Sequence, residues 1–201
     1  MNEMDPTRLD QQIRFIVEID KLKSILRRTY VIADRRSENT AEHSWHISVM
    51  AVLLAEYANE PIDITRVLKM TLIHDIVEID AGDTFVYDSA ATLDKAAREQ
   101  AGAARLFALL PSDQAAEFRK LWDEFEERVT PEARFAAALD RFIPQLHNYY
   151  GEGGSWKEHA ITQDRVLERN APMADGAAAL WAKTQELLRD AVAKGILAPP
   201  K

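Results

Sequence analysis

The sequence contains no cysteine, which excludes disulfide bonds, thiolate zinc sites and cysteine nucleophiles together. Glycine and proline are also scarce, with 7 and 8 residues in a chain of 201, so long loops and flexible linkers are not expected. No apolar run approaches the roughly 20 residues needed to cross a bilayer, and the first residues lack the pattern of a signal peptide. We therefore expect a cytoplasmic protein that does not bind membranes.

Basic residues are also fewer than acidic residues. The chain has 25 Lys and Arg against 33 Asp and Glu, a formal net charge of −8. A surface that binds a nucleic acid polymer normally shows a basic excess, so we do not expect such a partner. A small anionic substrate remains compatible with this composition, because a few local arginines or a metal ion can dominate the field of one pocket.

Apolar residues make up 47% of the chain and recur mainly at three- and four-residue steps, with little of the alternation that is typical of strands. This pattern predicts an all-α fold. Residues 29–39 break the helical pattern and are predicted to form an ordered loop. The predicted helices span about residues 6–28, 40–58, 64–81, 92–110, 112–128, 131–147, 155–170 and 174–194.

Capping signals mark the predicted starts of several helices. Asp5-Pro6 and Thr130-Pro131 each combine an N-cap residue with a proline at the first helical position. Asp63 is a suitable N-cap, and either Asn39 or Thr40 could cap the next helix upstream. Residues 155–158, Ser-Trp-Lys-Glu, have the pattern of a capping box.

The helix that ends at Gly82 is apolar on nearly all sides, yet it contains His74, Asp75 and Glu78. Burying such groups without partners costs about 2–7 kcal/mol or more. They must therefore pair with each other or the backbone, line a solvated cavity, or bind a metal. A neutral imidazole beside a carboxylate offers two ligands for a divalent first-row metal.

Two further residues could complete such a site. His43 falls in the first turn of one predicted helix, and Asp140 lies on the apolar face of a later one. An ion pair with an arginine would also explain Asp140. Together with His74 and Asp75, these side chains could hold one metal and leave positions for water and substrate. Mixed nitrogen and oxygen ligands suit Mn, Fe, Co, Ni or Zn better than Mg or Ca.

The order His43, His74-Asp75, Asp140 resembles the signature of the HD-domain phosphohydrolases. The resemblance implies a single HD-type helical domain over 1–201. Its metal-binding core would cover about residues 10–150, and an additional C-terminal helix pair would cover about 155–195. The local match is nearest to the branch that includes the 5′-deoxynucleotidases, in residues 36–43, 72–78, 82–83 and 138–140.

Residue by residue, the resemblance implies that His43, His74, Asp75 and Asp140 bind one divalent transition metal. Glu78 matches the acid that orients the attacking water or handles protons, and Asp83 matches a residue near substrate and water. Arg28, fifteen residues before His43, matches an arginine of the nucleotide pocket. The bacterial nucleotidases follow that arginine with Trp, which helps to exclude a ribose 2′-hydroxyl, whereas this chain has Thr29.

The function implied is that of a metal-dependent phosphomonoesterase acting on a small phosphorylated substrate, a (deoxy)nucleoside 5′-monophosphate in the nearest analogy. One alternative is another HD phosphohydrolase, acting on a nucleoside triphosphate or a pyrophosphorylated nucleotide. A second alternative is a non-catalytic helical binding module that carries a structural metal. The resemblance also implies a homodimer, which the apolar aromatic residues of the C-terminal helices could close, although they could equally form an intramolecular lid.

Other polar and aromatic residues receive structural interpretations. His46 and His147 are read as packing histidines, and Arg35 and Arg36 as anchors of the 29–39 loop. Lys95 is assigned to a solvated helix face. Arg98 is assigned to the same face, and the four tryptophans are assigned to packing.

Overall fold

The computed structural model describes residues 6–84, 87 and 93–201, which contain eleven α-helices and one two-stranded sheet. Short 3-10 turns at Asp20–Ser24 and Ala55–Tyr57 connect some of these elements. The all-α fold class is confirmed, and the small sheet is an addition to it. In chain order the elements are α1 Arg8–Ile19, β1 Leu26–Tyr30, β2 Ser37–Asn39, α2 Thr40–Leu54, α3 Ile64–Ile73, α4 Glu78–Ala81, α5 Lys95–Phe107, α6 Ser112–Glu127, α7 Pro131–Tyr150, α8 Gly154–Glu158, α9 Gln163–Asn170, α10 Met173–Gly176 and α11 Ala178–Ala193.

The first helix ends at Ile19, so the prediction that it continues to Arg28 was wrong. Strand β1 takes up residues 26–30 and pairs antiparallel with β2, placing Leu26 opposite Asn39 and Tyr30 opposite Ser37. The pairing stabilises an extended backbone in residues that look helical when only local periodicity is considered.

Two predicted helix starts also need correction. Thr7 caps α1 through a capping box with Asp10, whereas Asp5 lies outside the described residues, as does Thr92 at the predicted start of the fourth helix. The capping box at residue 155 does not form. Helix α8 instead starts after Gly153, which has a φ of 98°, and Ser155 Oγ donates to Asn148 Oδ1 at 3.0 Å.

The caps that position the metal-centre helices are as predicted. Asn39 caps α2 and forms a reciprocal capping box with Glu42. Asp63 accepts hydrogen bonds from two backbone amides at the start of α3, and Thr130 caps α7 ahead of Pro131. Each cap satisfies amides that the first helical turn leaves unpaired.

The central helix is shorter than expected. The last four-residue bond of α3 runs from His74 N to Met70 O at 2.9 Å, and the bond from Glu78 N to Asp75 O at 3.0 Å spans only three residues. Residues 74–77 therefore form a tight turn between α3 and α4. Gly82, with a φ of 73°, ends α4 in a conformation that favours glycine.

Helix α7 lies at the centre of the main core and is the longest helix described, at 20 residues. None of the described helices is long and apolar enough to cross a membrane. Side chains from α2, α3, α5 and α6 join those of α7 in the main core. The largest fully buried side chains of this core include Ile47, Met70, Leu106, Trp122, Phe135, Leu139 and Ile143.

The C-terminal region consists of four helices, α8 to α11, rather than the expected pair. Helix α10 approaches the backbone of α7 so closely that a Cβ on Gly176 would lie 2.1 Å from Arg134 O. Leu180, at the start of α11, joins the main core. A smaller cluster, Trp156, Ile161, Val166, Leu188, Ala191 and Leu197, packs the remaining C-terminal segments against one another.

Candidate metal centre

Three parts of the fold bring the four expected ligands together. His43 lies in the first turn of α2, His74 and Asp75 in the turn after α3, and Asp140 in the middle of α7. His43 Nε2 is 3.0 Å from Asp140 Oδ1 and 3.7 Å from Asp75 Oδ2. His74 Nε2 is 3.1 Å from Asp75 Oδ2 and 3.9 Å from Asp140 Oδ1. The acceptor atoms thus converge on one small volume.

The orientation of His74 fits a metal ligand. Its Nδ1 lies 3.0 Å from Thr71 O, and donating to that carbonyl leaves Nε2 with a free lone pair. The side chain is only 2% exposed, and Nε2 has no well-aligned hydrogen-bond partner among the described residues. Ligating atoms of His43, His74 and Asp140 all lie within 4.8 Å of one another. A buried lone pair aimed at two carboxylates suits a cation.

The pKa shifts of His74, Asp75 and Asp140 also indicate that these side chains favour a positive charge between them. Burial lowers the pKa of His74, but the carboxylates of Asp75 and Asp140 outweigh it and raise the pKa to about 10. Burial raises the pKa of Asp75, but His74 and Arg27 hold it below its usual range. For Asp140, hydrogen bonds from His43 and His74 overcome burial and lower the pKa. Both aspartates are therefore held as carboxylates.

Arg27 is a site residue that the sequence analysis missed. Its Nη1 donates to Asp75 Oδ2 at 2.8 Å and lies 3.9 Å from Glu78 Oε1 and 3.7 Å from Asp83 Oδ1. Arg28 points the other way along β1 and is exposed, although it also lines the cleft above the centre. Strand alternation would have separated the two arginines, but a helix was predicted there.

Glu78 and Asp83 line the same cleft as Asp75 and Asp140, two of the four candidate ligands. Thr40 Oγ1 donates to Glu78 Oε2 at 2.9 Å and fixes this buried carboxyl group. Burial and the charge of Asp75 raise the pKa of Glu78, although Arg27 opposes them. Burial also raises the pKa of Asp83, against the influence of Arg27. Acids with an increased proton affinity in a cleft are suited to proton transfer.

Glu38 is a second residue that sequence reasoning did not find. It is 3% exposed, and its Oε2 lies 3.6 Å from His43 Nδ1 and 3.7 Å from His147 Nδ1. Ligating atoms of Glu38, His46 and His147 also lie within 4.8 Å of one another. His46 and His147, which were predicted to be packing residues, therefore lie close to the carboxylate of Glu38, and this carboxylate in turn faces Nδ1 of His43. Nothing in the spacing distinguishes Glu38 from Glu42, a capping residue.

Glu38→Gln should weaken metal binding about 10- to 100-fold, because carboxylates behind a ligand histidine fix its tautomer and raise its basicity. Competition with a chromogenic chelator would measure the metal dissociation constant. Glu152→Gln is a matched control, since Glu152 pairs only with Arg35 on the surface. Equal metal affinity in the Glu38 variant and wild type would contradict the positioning role.

The metal centre opens into a cleft lined by acidic residues on one hand and by arginine and lysine side chains on the other. Lys95 lines this cleft, is only half exposed and pairs with Glu99 at 3.2 Å, so its assignment to a solvated face was wrong. Trp156 also lines the cleft, besides packing in the smaller cluster.

The helical fold and this donor set define a class of protein. The family model described as an HD domain matches residues 19–181, so the chain belongs to the HD-domain phosphohydrolase family. Among curated relatives, 5′-deoxynucleotidase HDDC2 of Mus musculus is 28% identical over 186 residues, covering 83% of this chain and 92% of the mouse protein. The Danio rerio protein of the same name is 27% identical over 162 residues, or 78% and 80% of the two chains.

Solved structures show the same relationship. A protein from Magnetospirillum magnetotacticum MS-1, described as a predicted metal-dependent phosphohydrolase, superposes with a TM-score of 0.91 at 55% identity over 96% of both chains. A conserved hypothetical protein from Pyrococcus furiosus has a TM-score of 0.66 at 24% identity, covering 89% of this chain and 99% of that one. The second likeness supports the fold alone.

Proposed function

We propose that this HD-domain protein is a metal-dependent phosphomonoesterase that hydrolyses a (deoxy)nucleoside 5′-monophosphate to the nucleoside and phosphate. The observation that carries the proposal is the convergence of His43, His74, Asp75 and Asp140 in a cleft that is also lined by arginines, with His74 Nε2 buried and without a well-aligned hydrogen bond among the described residues. The similarity to 5′-deoxynucleotidases at 27–28% identity supports the substrate class.

The four ligands would hold a divalent ion of Mn, Co, Fe, Ni or Zn, which supplies activation of water and neutralisation of phosphoryl charge. Glu78 would orient the attacking water and take its proton, held in place by Thr40. Arg27 keeps Asp75 in position and lies near Asp83, at 3.7 Å. Arg28, at the cleft wall, would contact the phosphate or the sugar.

The first experiment is phosphate release from matched deoxyribo- and ribonucleoside monophosphates, with Mn or Co added back after chelation. Metal-dependent turnover that prefers the deoxy substrates would support a deoxynucleotidase in spite of Thr29. Equal turnover of both sugars would retain the reaction and remove the sugar preference. Tight metal binding with no phosphate release from any ester would favour the binding module instead.

Arg28→Gln should raise KM for a nucleoside monophosphate about tenfold, because a charge-assisted hydrogen bond contributes about 1.5–3 kcal/mol when buried and less at this exposed position. The metal content should not change, since Arg28 does not reach the ligands. Steady-state kinetics and metal analysis would test both statements. Arg35→Gln, which removes a surface ion pair with Glu152, is the control. An unchanged KM would remove Arg28 from the substrate site.

A homodimer stays a prediction, and its interface must be relocated from the C-terminal helices. The tryptophans of these helices pack within the chain, Trp156 at 2% exposure and Trp181 partly buried against the main core. Large exposed apolar side chains lie instead along α1 and α2, among them Trp45 at 64% and Leu53 at 68% exposure. Size-exclusion chromatography with light scattering should show a dimer for the wild type and a monomer for Leu53→Glu. A wild-type monomer would contradict the expectation.

A further inference from the structure

Besides Arg28, three arginines line the cleft without an acidic partner among the described residues. Arg128 follows α6, Arg141 lies on α7 and Arg169 lies on α9. None has a carboxylate oxygen within 4 Å in the described ranges 6–84, 87 and 93–201. Arg141 Nη1 donates to Ala137 O at 3.3 Å, and Arg128 Nε is buried with no hydrogen-bond partner among those residues. Other arginines of this acidic chain, such as Arg36 and Arg66, are paired with glutamates.

The three guanidinium groups line one cleft, where the charges of Arg128 and Arg169 repel that of Arg141. Arg128 also has a left-handed backbone, with a φ of 55°, at a position after a helix where glycine or asparagine is usual. A crowded, desolvated positive group on a strained backbone destabilises the free protein, and an anion would relieve the repulsion.

Among the described residues, this arginine group forms no ion pair with the acids of the metal centre. Asp75, Glu78, Asp83 and Asp140 line the same cleft, yet each of the three arginines stays more than 4 Å from every one of their oxygens. Arg27, by contrast, reaches three of these acids within 4 Å. The acids of the metal centre therefore leave these guanidinium groups able to bind an anionic part of the ligand.

We propose that Arg128, Arg141 and Arg169 form a subsite for a second phosphoryl group of the substrate, distal to the phosphate at the metal centre. The proposal rests on the proposed function, because it takes the metal centre as the site of hydrolysis. Planar guanidinium groups match the oxygens of a phosphoryl group and bind them bidentately. The second group can belong to a polyphosphate chain or to a separate phosphate ester on the sugar.

Kinetics with three adenine deoxynucleotides distinguish these sources: the 5′-monophosphate, the 3′,5′-bisphosphate and the 5′-diphosphate. In the metal-loaded wild type, kcat/KM for one of the doubly phosphorylated compounds should exceed that for the monophosphate about tenfold, the effect of one charge-assisted hydrogen bond. The preferred compound shows whether the second phosphoryl group belongs to a polyphosphate chain or to a separate ester on the sugar. Arg141→Gln should abolish the preference, and Arg119→Gln, which removes a surface pair with Asp123, should retain it.

Arg128→Gly provides a variant that is expected to fold at least as well as the wild type, because glycine relieves the left-handed backbone. It should lose the same preference while its melting temperature stays equal or rises. A preference for the doubly phosphorylated compounds that survives in both Arg128→Gly and Arg141→Gln would overturn the subsite. So would a wild type that prefers the monophosphate.

Binding of inorganic pyrophosphate to metal-free protein, measured by calorimetry, separates this proposal from the proposed function. Binding that weakens about tenfold in Arg141→Gln and decreases with salt would support the subsite even if no ester is hydrolysed. Equal affinity in wild type and Arg141→Gln would overturn the subsite even if monophosphates are good substrates.

Discussion

Asp75→Ala should remove bound metal and phosphatase turnover together. Asp75 Oδ2 lies 3.1 Å from His74 Nε2, 3.7 Å from His43 Nε2 and 2.8 Å from Arg27 Nη1, so it connects both candidate ligand histidines to Arg27. Loss of the metal removes several kcal/mol of transition-state stabilisation, so turnover should fall by about 10³-fold or more. Metal content after dialysis and phosphate release with added Mn would be measured on the same sample.

Removing Asp75 also leaves Arg27, which is 13% exposed, without its nearest carboxylate. Breaking a buried ion pair in this way destabilises a protein by about 3–5 kcal/mol. Asp75→Asn keeps the shape of the side chain and separates loss of ligation from loss of folding. Asp123→Ala removes a surface partner of Arg119 and is the control. Turnover retained by metal-free Asp75→Ala protein would rule out the mechanism.

Glu78→Gln should preserve metal binding and decrease kcat about 10²- to 10⁴-fold, the usual contribution of a general acid or base. The amide keeps an oxygen that can accept the hydrogen bond from Thr40 Oγ1, which is 2.9 Å from the carboxylate in the wild type. It cannot take a proton from water at any pH of interest. Steady-state kinetics at saturating metal, together with metal analysis, would separate the two effects.

Asp80→Asn is the matched control for this variant. Asp80 lies on the same short helix as Glu78, but its carboxylate pairs with Arg105 away from the cleft lining. It should therefore retain turnover close to that of the wild type. If Glu78→Gln instead lost metal in proportion to its activity, Glu78 would act by positioning a ligand rather than by moving a proton.

Much of the metal centre could be inferred from the sequence because its signals are local. The caps at Asn39, Asp63 and Thr130 depend only on neighbouring amides, and the structure confirms each of them. The His-Asp pair after an apolar run required a partner for its buried charges, whatever the rest of the fold. A motif that retains the order of its residues can therefore predict which side chains meet, although it gives no distances.

The tertiary structure decided which side chains share the cleft with those residues. Arg27 faces the acids and Arg28 does not, because residues 26–30 pair as a strand with β2 instead of continuing α1. Arg128, Arg141 and Arg169 come from three separate helices, and no spacing along the chain predicts their meeting. Helix periodicity and capping depend on residues a few positions apart, whereas strand pairing and helix packing depend on contacts between segments far apart in the chain. Only those contacts combine a metal centre and an unpaired arginine group in one cleft.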